Sequence, residues 1–379
     1  MLTLVDEVRL IADDGGLKAG WILLDDDRIS AVDIGSPPVV AGAMRQAGGG
    51  AIALPGFIDL HCHGGGGASY LSGSTDQARR AASTHLSHGT TTSLASLVSA
   101  APAALIAQIE ALVPLVDDGT LHGIHLEGPW LASAYCGAHD PTVLRCVDPT
   151  ELAALLTLGA GRISMVTIAP EVDGALAAIP RVTAAGAIVA IGHTGADAAL
   201  ITAAVDAGAQ VATHIFNAMP PLHHRAPGPV GTLLLDDRVV VELIADLQHI
   251  HADVLALAIR LAGPDRVALV TDAIAAADAG DGAWRLGDLA VDVSGGVARL
   301  RDGGALAGST LTQDAALRHV VQDVGLGLGV ASQMLSRTPA RVLGLSDRGT
   351  IAPGQRADLA LLDDALSVIA VFRGGVRIN

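Results

Sequence analysis

The chain has 379 residues, half of them hydrophobic but only 2% aromatic, so its apolar content is Ala, Val, Leu and Ile. That much aliphatic surface offsets the entropy of ordering and excludes intrinsic disorder. The 39 acidic residues against 23 basic ones leave a formal charge of −16, and no basic footprint exists to neutralise nucleic-acid phosphates.

The N-terminus, MLTLVDEVRL, lacks a basic region followed by an apolar stretch, so no signal peptide is predicted. Apolar runs such as 182–191 fall far short of the roughly 20 residues a membrane span needs. Cys62, Cys136 and Cys146 are odd in number and unpatterned, which predicts a reducing, cytoplasmic setting. Short strands are predicted at 5–11, 20–24 and 29–32, followed by a loose stretch, GSPPVVAGAMRQAGGG. From residue 51 eight β-rich runs follow, at 51–63, 90–98, 121–128, 163–170, 187–194, 211–218, 239–246 and 267–274. Stretches of helical length lie between them, at 76–88, 102–116, 151–158, 196–207 and 252–262. Apolar strands alternating with helices predict a parallel sheet covered on both faces. Eight such units predict an α/β fold built on a (β/α)8 TIM-like barrel. A doubly wound sheet is the alternative, but no G-x-G-x-x-G opens a helix. After residue 344 strands return at 349–354, 357–363, 368–375 and 376–379. The predicted organisation is a barrel over 54–344 and a small β-sandwich domain formed by both termini, 1–53 and 345–379.

Polar residues cluster where the predicted strands end, which in a barrel is the active face. His61 and His63 end the first run, Glu127 the third, His193 the fifth, His214 the sixth and Asp272 the eighth. In His61-Cys62-His63 both imidazoles share one face of an extended chain, a spacing suited to a transition metal, and Cys62 points the other way as a packing residue. Some two-metal barrel hydrolases bridge their ions with a carboxylated lysine. Here the one lysine, Lys18, falls in the terminal β segment, so the bridge must be a carboxylate, and Glu127 is the candidate. The predicted set is one divalent ion on His61, His63 and Asp272, a second on His193 and His214, and Glu127 shared.

The 14 histidines are too many for one site. His85, His88, His122 and His319 are expected at the surface or in packing, and His125 as a hydrogen-bonded residue of the barrel interior. His139, His223, His224, His249 and His251 fall in loops on the active face, where substrate is expected. The run Gly64–Gly67 reads as a flexible loop. No Lys-Ser/Thr follows it and no G-x-S-x-G nucleophile elbow exists, which excludes a Walker loop and a serine esterase. Cys136 is either an incidental small residue in a mobile loop or a lid residue near the site, where a metal or imidazole favours its thiolate.

LPGFIDLHCHG (54–64) and GTIAPGQRADLALLD (349–363) resemble the amidohydrolase superfamily. HLEGPW (125–130), GAHDP (137–141), IGHTGA (191–196), THIFNAMPPLHHRAPG (213–228), LVTDAI (269–274) and LAGSTLT (306–312) are similar to the N-acetylglucosamine-6-phosphate deacetylase family within it. The resemblance implies that Glu127, His193 and His214 hold the principal metal and that Asp272 is the catalytic acid/base. Retention of His61 and His63 favours two ions (Zn, Fe, Mn or Co). It also implies that His139 contacts the acyl carbonyl, and that Asn217, Ala218, Arg225 and His249 hold the sugar phosphate, with His251 and Leu306 beside them. Phosphate ligands in the family cross a subunit interface, which implies a homodimer or dimer of dimers. The implied activity is deacetylation of a phosphorylated amino sugar in amino-sugar catabolism and cell-wall recycling. Leu247 and Cys136 depart from the family pattern. Alternatives are deacetylation of an N-acetylgalactosamine phosphate, nucleobase deamination, cyclic-amide hydrolysis and a silent scaffold. No nucleic-acid or membrane partner is expected.

Overall fold

The computed structural model describes residues 1–378, so the last residue of the predicted final strand, Asn379, lies outside them. The chain divides into two compact groups. One holds Leu60–Thr84 and Ser93–Leu311; the other holds Met1–Asp59, His85–Thr92 and the chain from Thr312 onward.

An eight-stranded sheet runs in chain order through Phe57–Asp59, Thr90–Val98, Gly123–Glu127, Ile163–Ile168, Ile188–Ile191, Ala209–Ala212, Val240–Ile244 and Val267–Val270. These are barrel strands one to eight. Neighbouring strands pair parallel. The extensions of strands one and eight meet through a parallel Cys62–Ala273 bridge, and the Asp272 N–H donates to the His61 carbonyl at 2.8 Å. That pairing closes the barrel. Every residue of strands two, three, seven and eight is buried, as expected where helices cover the outside and side chains fill the inside. Asp59, Glu127 and Glu242 are the acids that interrupt these apolar runs.

The helices start where the sequence supplies caps. Asp148 accepts from the Thr150 N–H ahead of Pro149–Gly159, and Asp197 from the Leu200 N–H ahead of Ala198–Asp206. The predicted helix 252–262 matches Ala252–Ala262.

The termini build a seven-stranded sheet. Its spatial order is Val376–Arg377, Val368–Arg373, Leu359–Leu362, Met44–Pro55, Leu2–Ile11, Leu17–Asp25, Arg28–Ile34. Residues from strands across the whole sheet, including Val5, Ile22, Ile29, Ala53, Leu361 and Phe372, form one buried cluster. The outermost strand also returns to the chain before Leu359, where the Ile29 N–H donates to the Gln355 carbonyl and the Ala357 N–H to the Asp27 carbonyl. One sheet therefore folds over its own core as a small β domain.

Several predicted segments differ. The stretch read as loose ends in the strand Met44–Pro55, so residues 51–55 belong to the terminal sheet and the first barrel strand begins at Phe57. Residues 349–354 form turns rather than a strand. A three-stranded antiparallel sheet, Gly282–Leu286, Leu289–Ser294 and Val297–Leu300, follows barrel strand eight and was not foreseen. The Gly64–Gly67 run is a hairpin, buried at Gly64 and Gly65 and exposed at Gly67, whose N–H groups donate to the Ala273, Ala275 and Ala277 carbonyls, rather than a flexible loop. A Cβ on Gly64 would lie 2.4 Å from the Ala68 carbonyl oxygen, so close backbone approach requires glycine there.

Candidate active site

The residues beyond the C-terminal ends of the barrel strands converge. Glu127 is the last residue of strand three. His61 and His63 follow strand one, His193 follows strand five, His214 strand six and Asp272 strand eight. His193, His214 and Asp272 have φ of 49°, 26° and 49°, in the left-handed region where a non-glycine residue costs roughly 1–3 kcal/mol. The chain thus turns sharply as each strand ends and aims the side chain across the barrel mouth.

Glu127 is the centre. Its Oε1 lies 3.0 Å from Nε2 of both His193 and His214. Its Oε2 lies 3.3 Å from His63 Nε2, 3.5 Å from His61 Nε2 and 3.4 Å from His139 Nε2. One carboxyl therefore faces two imidazole pairs, a different oxygen to each. Within each pair the Nε2 atoms stand 3.1 Å apart (His61 and His63) and 3.2 Å apart (His193 and His214). Asp272 Oδ1 approaches His63 Nε2 at 3.1 Å and His61 Nε2 at 3.5 Å.

Whether these residues suit a divalent ion is answered by their other ring nitrogens. A ligating imidazole needs its Nε2 lone pair free, which requires the proton on Nδ1, held by an acceptor. His63 Nδ1 donates to the Ser96 carbonyl at 3.0 Å, His193 Nδ1 to the Tyr135 carbonyl at 2.9 Å, and His61 Nδ1 to Glu242 Oε2 at 3.3 Å. With the outer nitrogen held this way, all three rings can give a bare Nε2 to an ion that displaces any proton there, and the donor set fits a metal. His139 is the opposite case. The Ser99 backbone N–H donates to its Nδ1 at 3.1 Å, and an amide N–H can only donate. The His139 proton is therefore on Nε2, so this histidine is a hydrogen-bond donor rather than a ligand. His125 has both ring nitrogens engaged, with Ser96 Oγ at 2.9 Å and Thr167 Oγ1 at 2.8 Å, inside the barrel.

Electrostatics follow the same division. Burial pushes the His139 imidazole down, past the opposing pull of Glu127, to about 4, so it is neutral near pH 7. Burial would also lower His63, but hydrogen bonds to Asp272 and Glu127 reverse this and raise it to about 9. Burial would raise the Asp272 carboxyl, yet His61 and His63 hold it well below the usual carboxylate range. Glu127 is likewise held low against burial by His61, His139 and His193. An ion bound by these imidazoles displaces protons from them.

A cavity of about 220 Å³ opens on the cluster, lined by His63, Glu127, His193, His214 and Asp272. His139, Asn217, Ala218, His249 and Leu306 line it too. Gly137 also lines it, and a Cβ there would lie 3.2 Å from His193 Cε1. His249 is held by Asp246 (Nδ1 to Oδ2, 2.7 Å); burial would lower its imidazole, but Asp246 raises it above its ordinary value.

Arg225, His223, His224 and His251, expected on the substrate side, are not among the lining, and neither is Cys136. Arg225 sits on an exposed loop, where its guanidinium bonds His224 Nε2 at 2.8 Å. His251 has a side chain 75% exposed and caps the helix Ala252–Ala262 by accepting the Asp253 N–H at 3.2 Å. That capping position was readable in the sequence and outweighs the proximity argument. Cys136 is half-buried at the end of the short turn Ser133–Tyr135. Two residues the sequence reading missed are Ser99, which fixes the His139 tautomer, and Glu242. A glutamate inside the apolar run VVVELIAD was the available signal for the second.

A family model, the amidohydrolase family, matches residues 52–378. The chain belongs to that family. Among solved structures it is similar to a variant of N-acetyl-D-glucosamine-6-phosphate deacetylase from Mycobacterium smegmatis in complex with N-acetyl-D-glucosamine-6-phosphate. Identity there is 43%, the match covers 100% of this chain and 98% of that one, and the TM-score is 0.93. Among characterised relatives, an N-acetylgalactosamine-6-phosphate deacetylase from Escherichia coli O157:H7 is 35% identical over 97% of each chain. An N-acetylglucosamine-6-phosphate deacetylase from Bacillus subtilis is 33% identical over 98% of this chain and 96% of that one. Within the amidohydrolases, the branch these full-length relatives define is that of the amino-sugar-phosphate deacetylases.

Proposed function

We propose that this chain hydrolyses the acetamide of N-acetylglucosamine 6-phosphate, giving acetate and glucosamine 6-phosphate. The observation that carries the reading is one cavity holding both a carboxylate, Asp272, and a neutral Nε2–H donor, His139, beside a ligand cluster centred on Glu127. His193, His214 and Glu127 would hold one divalent ion, and His61, His63 and Asp272 with the other Glu127 oxygen a second. When bound, such an ion lowers the pKa of water to about 7 and so supplies a strong nucleophile near neutral pH.

The protein's own groups do the rest. His139 Nε2–H donates to the acetyl oxygen, whose negative charge grows as the carbonyl is attacked. A neutral donor keeps this bond without adding a buried positive charge. Asp272, kept ionised by its histidine neighbours, accepts the proton of the attacking water and passes it to the leaving nitrogen, which departs poorly as an anion. Asn217, the Ala218 N–H and His249 meet the sugar and its phosphate. The net charge of −16 opposes an anionic substrate, so local donors must outweigh the global field. Arg225, exposed and outside the cavity, supports a homodimer in which it serves the neighbouring subunit's phosphate.

Galactosamine is the second reading, favoured by the Escherichia coli relative. Acetate release from both sugar phosphates and from free N-acetylglucosamine tests the proposal. Preferred turnover of N-acetylglucosamine 6-phosphate is expected. Release of ammonia from nucleobases instead of acetate would overturn it.

A further inference from the structure

Glu242 has no role in the reaction described above. It lies in the middle of barrel strand seven, fully buried, within the run Val240–Ile244. Its Oε2 accepts two hydrogen bonds, from His61 Nδ1 at 3.3 Å and from the His214 backbone N–H at 3.2 Å. Its Oε1 has no partner among the described residues. A fully buried carboxyl with one idle oxygen is costly unless positive charge nearby compensates it. The other two ligand-type imidazoles with a held Nδ1, His63 and His193, rest on neutral backbone carbonyls. His61 alone rests on a carboxyl. A carboxyl on the outer nitrogen makes an imidazole a stronger donor through its inner nitrogen.

We infer that Glu242 is a positioning residue for the His61–His63 half of the cluster, fixing the His61 ring and, as a carboxyl on its outer nitrogen, strengthening its Nε2 as a donor to an ion in that half. The inference rests on the two-ion reading above. Through Glu242 the choice between one and two ions is set from strand seven, a strand that contributes no ligand itself.

The test is a cobalt(II) titration of metal-stripped full-length protein, followed by visible absorption and by elemental analysis. The wild type is expected to take two equivalents. Glu242→Gln keeps a carbonyl oxygen for both hydrogen bonds and removes only the charge. It should weaken the second equivalent by about 10–100-fold and leave the first unchanged. His63→Ala should remove the second equivalent outright, and adding Glu242→Gln to it should leave the remaining equivalent as it was. The retained first equivalent reports that the variants are folded. A wild type that takes one equivalent overturns the two-ion reading and this inference with it. Two equivalents bound equally well by wild type and Glu242→Gln overturn the inference alone. So does a loss of both equivalents in the variant, or a weakened remaining ion in the double variant, because Glu242 then acts on the whole scaffold.

Discussion

The mouth of the barrel and the terminal sheet are both buried, yet they are built from opposite materials. At the mouth, imidazoles and carboxyls stand about 3 Å apart on backbone turned into the left-handed region. In the terminal sheet, Val5, Ile22, Ile29, Leu361 and Phe372 pack as one buried apolar cluster. The mouth concentrates groups that cost stability and do chemistry. The sheet contributes burial and does none. If that division holds, a substitution in one region should move activity or stability, and not both.

Asp272→Asn should show the largest effect. Loss of proton transfer costs about 10²–10⁴-fold in kcat. Turnover retained with metal still bound would remove Asp272 from the mechanism. Phe372→Ala is the mirror case. A fully buried ring in the sheet core should cost about 3–5 kcal/mol in urea unfolding with kcat of the folded protein unchanged. A parallel fall in kcat would break the division.

Asp314 sharpens it, being a buried charged group outside the set that lines the cavity. Burial would raise its carboxyl, but hydrogen bonds from His88, Thr312 and Arg318 hold it well below the usual range. A carboxyl depressed in the folded state releases its proton more readily there than in the unfolded chain. Its contribution is therefore complete above the unfolded value near roughly 3.9 and lost as pH falls below it. Asp314→Asn should cost about 1–3 kcal/mol near neutral pH, with the gap to wild type closing in acid. Urea midpoints at neutral and acid pH measure this, and a constant gap would contradict it. Ser99→Ala should have the smallest effect, a drop in kcat of under about tenfold. It removes the hydroxyl at 2.9 Å from His139 Nδ1, but the backbone N–H still sets the tautomer.

The residues that gather at the mouth were legible in the sequence because each is a polar residue placed where an apolar run stops. The barrel was legible for the same reason. What lay hidden is mostly backbone. The Ser96 and Tyr135 carbonyls and the Ser99 N–H decide on which nitrogen His63, His193 and His139 carry a proton, and no residue type announces them. Glu242 was visible as a residue, but its partner is 181 positions away, and spacing along the chain carries no sign of that pairing. The Gly-rich stretch before residue 51 was misread as loose because glycine usually marks turns. Here it marks crowding: a Cβ on Gly48 would lie 2.4 Å from Val8 Cγ1, so the strand can lie beside its neighbour only without side chains.

The divided carboxyl of Glu127 has a consequence for how the site fills. Its two oxygens belong to one rigid planar group, and each serves a different imidazole pair. A rotation that improves one pair's contact must alter the other's. The two halves are therefore thermodynamically linked. Whatever factor the first ion applies to the affinity of the second, the second applies equally to the first. In the two-ion reading, filling one half should therefore change the affinity of the other by the same factor in both directions.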